Sequence, residues 1–388
     1  MKTKLFSSIL VMSILIAGVL LIGGVTKPVH AVTCTWTGAV SNNWTNASNW
    51  SGCGSAVPSS SDDVVIPDTT SDPVIYSGTW DTAVNSIEIQ TGAQLTLQGY
   101  SELYANTWDN YGTLRADFDD SHTSIYIKGS TSWPYTGTFD NHPGASIITN
   151  NSGNYWYDLY IHTTFNNDGL VDLNGTFTSY YQGNICLKQG GSHDGTFTGE
   201  PDTKIMIGDI DTPGKTNAFN GSVSVHNLVI DADSIVNFSG QYLPEPTDST
   251  LYVFEGSELT FTATATPIMP ETVSISGTLS FTNETDDVFF DNLQLTANGE
   301  LANVGDSYIS DDFTFNGGTL SGDGTTYIET PANFDLLFGA MTIDQQTVHN
   351  NTSAFWRSGT ISLTNGATIE NYGVFEANDN STMNGDAT

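Results

Sequence analysis

Gly277-Thr278-Leu279-Ser280-Phe281, Gly299-Glu300-Leu301, Gly318-Thr319-Leu320, Gly339-Ala340-Met341 and Gly359-Thr360-Ile361-Ser362-Leu363 open five successive phrases. Their glycines return at steps of 22, 19, 21 and 20 residues, the range of period that marks a repeat architecture. After each glycine, apolar residues alternate with small polar ones, and a period of two marks a strand with one buried face. A strand–turn unit this short cannot bury its own apolar side, so it must stack on its neighbours as a solenoid does.

Working outward, a second phrase recurs earlier in the chain. It runs Trp108-Asp109-Asn110-Tyr111-Gly112-Thr113-Leu114, and again from Phe139 through Asn141 and Gly144 to Ile147. It returns as Phe165-Asn166-Asn167-Asp168-Gly169-Leu170-Val171 and as Ile369-Glu370-Asn371-Tyr372-Gly373-Val374-Phe375. Asn tolerates a left-handed backbone and Gly carries no Cβ, so both belong at bends between strands. Gly112, Gly144 and Gly169 are spaced more widely and less evenly than the later glycines, so extra loops should project from these early rungs. Helix signals are nearly absent, because Gly, Thr, Asn and Ser dominate the connections and no helical face can carry Glu–Lys pairs. The expected fold is all-β, a single-stranded right-handed parallel β-helix over residues 62–388, with a two-sheet β-sandwich as the competitor. On the order of 15 turns at ~4.8 Å each would give a rod of roughly 70–80 Å.

The first residues address compartment. Lys2 and Lys4 precede a largely apolar run from Leu5 to Val25, and Val29-His30-Ala31 supplies a small-x-small cleavage site. Residues 1–31 therefore read as a secretory signal peptide. The competing reading is an uncleaved anchor, since the apolar run is just long enough to span a bilayer. The whole chain carries a formal charge of −34. Without Lys2, Lys4 and Lys27 it keeps 43 acids against 9 − 3 = 6 bases, a charge of −37. That excess repels polyphosphate and anionic lipid surfaces, which excludes nucleic acid and membrane surfaces as partners. No membrane insertion is expected after leader cleavage. Of the three cysteines, Cys34 and Cys53 close a short loop suited to a disulfide, worth roughly 3 kcal/mol by loop entropy. Cys186 is left as a small buried apolar residue.

Residues 32–61 differ from the rest. Trp36, Trp44 and Trp50 stand among Asn42, Asn43, Asn46 and Asn49 within the Cys34–Cys53 loop. This reads as a compact cap over the first rung, where an open strand edge would invite aggregation. The phrase from Thr35-Trp36-Thr37-Gly38 through Asn49-Trp50 to Asp63-Val64-Val65-Ile66-Pro67 resembles the N-terminal segment of large secreted bacterial surface proteins. The repeats that follow resemble right-handed parallel β-helices of the pectin-lyase-like kind, as in adhesins. The resemblance implies a non-enzymatic extracellular or cell-surface repeat protein, an adhesin or structural stalk, with cell-surface or matrix glycans or proteins as partners. It equally raises a secreted polysaccharide lyase or glycoside hydrolase as the alternative. The chain stops at Asn384-Gly385-Asp386-Ala387-Thr388 without a sorting signal or apolar tail, which is the expectation for a fragment or for an anchor encoded elsewhere.

A lyase needs a base beside the sugar α-proton, with acids to hold calcium against the uronate. Lys188, Lys204 and Lys215 fall where loops should project, so a site would lie near residues 115–215. A hydrolase needs two facing carboxylates. The pairs Asp119-Asp120, Asp286-Asp287 and Asp311-Asp312 are adjacent in sequence, which in a strand sends them to opposite faces and reads better as turn residues. No catalytic residue is assigned. His122, His142 and His162 recur at equal intervals, yet the uneven early rungs should keep them out of register. Asp209 and Asp211, with Asp231 and Asp233, place paired carboxylates on one side of an extended segment and are the candidate calcium ligands. No other cofactor is expected. Tyr155, Trp156 and Tyr157 cannot all face a core. With Asn154 and Asp158 as hydrogen-bonding neighbours, they form the candidate glycan-binding patch.

Overall fold

The computed structural model describes residues 31–118, 124–132, 134–151, 158–174, 185–208, 211–231, 233–245, 247–283 and 287–385. Residues 1–30, the expected signal peptide without Ala31, lie outside these. The chain is an all-β parallel solenoid of about 13 turns, so two packed antiparallel sheets are ruled out. At ~4.8 Å per turn the stack is roughly 60 Å long. It is shorter than the sequence-based expectation because the early rungs spend more residues on loops. Regular helix is confined, among the described residues, to one 3₁₀ turn, Ala47–Asn49.

Each turn lays down three short strands, one on each of three faces. The first face stacks Asp63–Ile66, 86–89, 107–110, Thr138–Asn141, Thr164–Asn167, Gly191–His193 and Thr216–Phe219, and continues to Ser381–Gly385. The second stacks 101–104, Ile125–Lys128, Leu159–His162, Ile185–Leu187, Lys204–Ile207 and Asn227–Ile230, and runs on to Val374–Ala377. The third runs from Val74–Ile75 through Thr113–Phe118 and Leu170–Asn174 to Thr266–Pro267. It resumes at 288–290 and ends at Thr368–Asn371. Alternation does the sorting on every face. Ile205 and Ile207 are fully buried, as are Leu251, Leu279 and Leu301 on their strands.

Parallel register turns one sequence position into one column of side chains. At the inward end of the first face the column reads Ile66, Ile89, Asn110, Asn141, Asn167, His193, Phe219, Phe238, Phe261, Phe281 and Asn303. The asparagines form a buried ladder: Asn110 Nδ2 donates to Asn141 Oδ1 at 2.7 Å, and Asn141 Nδ2 to Asn167 Oδ1 at 2.7 Å. Phe219 and Phe238 stack at 4.8 Å, Phe261 and Phe281 at 5.2 Å. In the three early phrases the recurring Asn is therefore a core residue, whereas Asn371 of the fourth phrase lies on the third face and is exposed.

The glycines mark corners, and most do so for want of space. A Cβ on Gly195 would lie 2.1 Å from the carbonyl oxygen of Gly169, and one on Gly221 only 1.9 Å from that of Gly195. The later beat sits at a different corner under the same limit: Gly277 faces the Phe254 carbonyl at 2.2 Å, and Gly318 that of Gly299 at 2.3 Å. Gly318 also has φ +87°, so there the backbone demands glycine as well.

At the N-terminal end, Thr33–Trp36 pairs in parallel with Asp63–Ile66 and antiparallel with Trp50–Ser51. Cys34 and Cys53 form the expected disulfide. Trp50 meets Trp36 and Trp44 edge-on at 5.0 and 4.7 Å. Asn49, fully buried, accepts at Oδ1 from the Val40 and Ser41 amides, both at 3.0 Å, which explains why Asn and Trp intermingle in this segment. Gly221→Ala is expected to lower stability by about 1–3 kcal/mol through overpacking at the corner. Urea denaturation checks this against Gly385→Ala, whose Cβ would meet nothing within 4 Å; an equal loss in both would remove the corner constraint.

Candidate functional site

The outer side of the second face is where the loops of the early rungs gather chemistry. Inward positions Leu103, Ile125, Ile127, Leu159, Ile161, Ile185 and Leu187 fill the core. The alternating outward positions then fall into two columns. One reads Glu102, Tyr126, Tyr160, Cys186, Met206 and Val229; the other reads Tyr104, Lys128 and His162.

Glu102 anchors the cluster. It accepts from Tyr104 Oη at 2.6 Å, from Tyr100 Oη at 2.9 Å and from Lys128 Nζ at 3.1 Å. Burial works against its charge, but the bonds from Tyr104, Lys128 and Tyr100 outweigh this and hold its carboxyl below the ordinary value. The Lys128 ammonium also sits 5.2, 5.0 and 5.1 Å from the ring centres of Tyr104, Tyr126 and Tyr135. Tyr126 stacks on Tyr160 at 5.0 Å with planes 8° apart, and Lys188 lies over Tyr160 at 5.5 Å. His162 packs edge-on against Tyr135 at 5.3 Å. Burial, then Lys188 and Lys128, push its ring down to about 4, so it is neutral at physiological pH.

Beneath this surface lies Asp158, with 1% of its surface exposed. Tyr160 Oη donates to its Oδ2 at 3.0 Å, and the Cys186 thiol also bonds the carboxyl. Burial pushes its carboxyl up to about 7 despite the bond from Tyr160 and the nearby charges of Lys204 and Lys188. Lys204 is itself pushed down by burial, with Asp158 and Cys186 opposing. Cys186 is buried as expected, but on the outer side of the sheet with Met206 and Val229 rather than in the main core.

Of the glycan-binding patch, Asn154, Tyr155, Trp156 and Tyr157 lie outside the described residues. Asp158 is a buried member of the cluster rather than an exposed hydrogen-bonding rim. Lys188 and Lys204 belong to the same surface, whereas Lys215 is exposed at a corner and Arg115 pairs with Asp117 at 2.7 Å on the third face. Of the calcium candidates, Asp209 lies outside the described residues, and Asp211, Asp231 and Asp233 sit in turns between the second and first faces. No group of three or more His, Cys, Asp or Glu is placed to hold a metal ion among the described residues. His142 stacks on Tyr111 at 4.0 Å beside the first face and His162 stands on the second, so these two share no column; His122 lies outside the described residues. Sequence reasoning missed Glu102, Tyr104, Tyr126 and Lys128. Their signal is the parallel register itself, which unequal loops conceal in a linear reading.

Among the described residues, no helix is long and apolar enough to cross a membrane. One family model matches, a domain of unknown function, DUF8693, over residues 35–116. The matched segment holds the tryptophan cluster and the first rungs. No curated protein and no solved structure matches the chain.

Asp158 generates a pH prediction. An acid whose value rises on folding favours the fold below its unfolded value of 3.8, and that contribution is lost as pH climbs through about 7. The span corresponds to roughly 4 kcal/mol. Asp158→Asn should therefore gain stability relative to the parent as pH rises across that window. Thermal melts of both chains across the window measure the difference directly. Only the difference is informative, because buried His193, pushed down to about 4, makes the fold lose stability as pH falls.

Proposed function

We propose that this chain is a secreted, non-enzymatic surface or matrix rod that holds acidic glycans against the outer side of its second face. The carrying observation is a concentration of positive charge in a chain of formal charge −34. Three of the six Lys and Arg beyond residue 31 gather there: Lys128 and Lys188 lie over tyrosine rings, Lys204 is buried beneath them beside Asp158, and Lys188 is the one open to a ligand. A uronate ring offers a carboxylate for Lys188, a C–H face for the tyrosine rings and hydroxyls for their phenol groups. Lys128, bound to Glu102 and three rings, orients that surface. The apolar leader and the Cys34–Cys53 disulfide support secretion.

Binding is favoured over lysis because, apart from Lys188, which is left to meet the substrate carboxylate, the groups on this surface that would serve as base are committed elsewhere. Lys128 is ion-paired, Lys204 is 6% exposed, and the His162 ring is too weak a base at about 4. One such surface binds weakly, and display of many rods on one support raises avidity.

Titration of the mature protein with polygalacturonate and alginate oligosaccharides is expected to show binding that weakens with added salt. Lys188→Ala should lower affinity about tenfold or more, or 1.4 kcal/mol, with Lys188→Arg restoring most of it. Continuous appearance of unsaturated ends would replace this reading with the lyase. Absence of binding, or indifference to Lys188→Ala, would defeat it.

A further inference from the structure

The third face is broken in one place among its described strands. Thr266–Pro267 pairs with Gln241–Tyr242 in the rung before it, and 288–290 pairs with 307–309 in the rung after it, but no pairing joins the two across the gap. Where these rungs part, a cleft of about 430 Å³ opens, lined by Phe261, Pro267, Ile268, Val288 and Phe289 with Thr266 and Asp287 at its polar edge. Ile268 is 58% and Phe289 65% exposed.

Phe289 begins a column of outward rings. It stacks on Tyr308 at 5.1 Å, and Tyr308 on Tyr327 at 4.8 Å. His349 continues the column, 5.0 Å from Tyr327. In a stacked column each inner ring spends both faces on its neighbours and shows solvent only an edge. A ring face becomes available only at an end. Phe289 is such an end: it stacks on Tyr308 on one side, lines the cleft and is mostly exposed.

We propose that this cleft is a second binding site, specific for a neutral pyranose ring stacked on Phe289. The C–H face of the sugar would lie between Phe289 and the Pro267–Ile268 edge, and its hydroxyls would reach the Thr266 hydroxyl and the Asp287 carboxylate. An acidic ring is disfavoured by Asp287 and by the charge of the whole chain. An added peptide strand is disfavoured because Pro267 has no N–H to give to it. The site is independent of the lysine–tyrosine surface on the second face.

The full chain is to be probed by saturation-transfer NMR with cellohexaose, xylohexaose and mannohexaose, alongside a polygalacturonate oligosaccharide. At least one neutral hexamer should receive saturation at the ring C–H positions. Phe289→Ala should remove that signal while lowering the melting temperature only slightly, since the side chain is mostly solvent-exposed and loses one stacking contact. Tyr308→Leu, which withdraws the ring beneath Phe289, should weaken it severalfold. Lys188→Ala should leave it intact, so loss of acidic-glycan binding and loss of neutral-glycan binding separate cleanly. Absence of transfer to all three neutral hexamers overturns the proposal, as does transfer that survives Phe289→Ala.

Discussion

Everything in this molecule depends on one distance, the ~4.8 Å between paired parallel strands. Each rung must repeat the last closely enough for backbone N–H and C=O groups to meet, so every corner is as tight as the spacing allows. At Gly195, Gly221 and Gly240 a Cβ would lie 2.1, 1.9 and 1.9 Å from the carbonyl oxygen of the rung before. Glycine is thus imposed at these corners by the neighbouring rung, and only at some of them by the local backbone angle.

The same spacing decides which side chains can follow one another in a column. Asparagine can donate at one edge of its amide and accept at the other, so Asn110, Asn141 and Asn167 satisfy each other along the axis. His193 takes over at the next rung and passes a bond to Asn217 Oδ1 at 3.1 Å, after which the column becomes phenylalanine. A buried Asn left without partners would cost about 1–3 kcal/mol, so the three asparagines sit on successive rungs, while Asn303 at the end of the phenylalanine run is satisfied locally, donating to Ser307 Oγ at 2.6 Å and accepting from the Gly305 amide at 3.2 Å.

The regular part of this design was legible. From Gly277 onward the turns contain few insertions, so counting from glycine to glycine recovers the corner, the alternation and the buried positions. The disulfide and the tryptophan-rich N-terminal segment were equally visible. Of the lysine–tyrosine surface, Lys188 and Lys204 were placed in the right stretch, but the grouping was not visible, because Glu102, Tyr126, Tyr160 and Cys186 share a column while standing at unequal intervals along the chain. Loops of different length separate them, and composition carries no trace of which residues the register will align. Asp158 shows the same limit from another side. Its place beside a run of aromatics pointed to a hydrogen-bonding rim, yet its burial decides its chemistry.

A solenoid built by repetition tends to make every surface alike, which limits where binding can arise. Stacked rings hide their faces from solvent, so the length of an aromatic column adds stability without adding recognition. The two proposed binding surfaces lie where the column is interrupted. On the second face Tyr126 and Tyr160 are flanked by Lys128 and Lys188, which place charge against the π systems. On the third face the unpaired rung leaves Phe289 with one open side. Both features lie at departures from the repeat, one where inserted loops fold over a face and one where a strand pairing is missing. The regular rungs fix the spacing with enough rigidity that such a departure holds its shape, and the irregularity supplies the chemistry that repetition alone would bury.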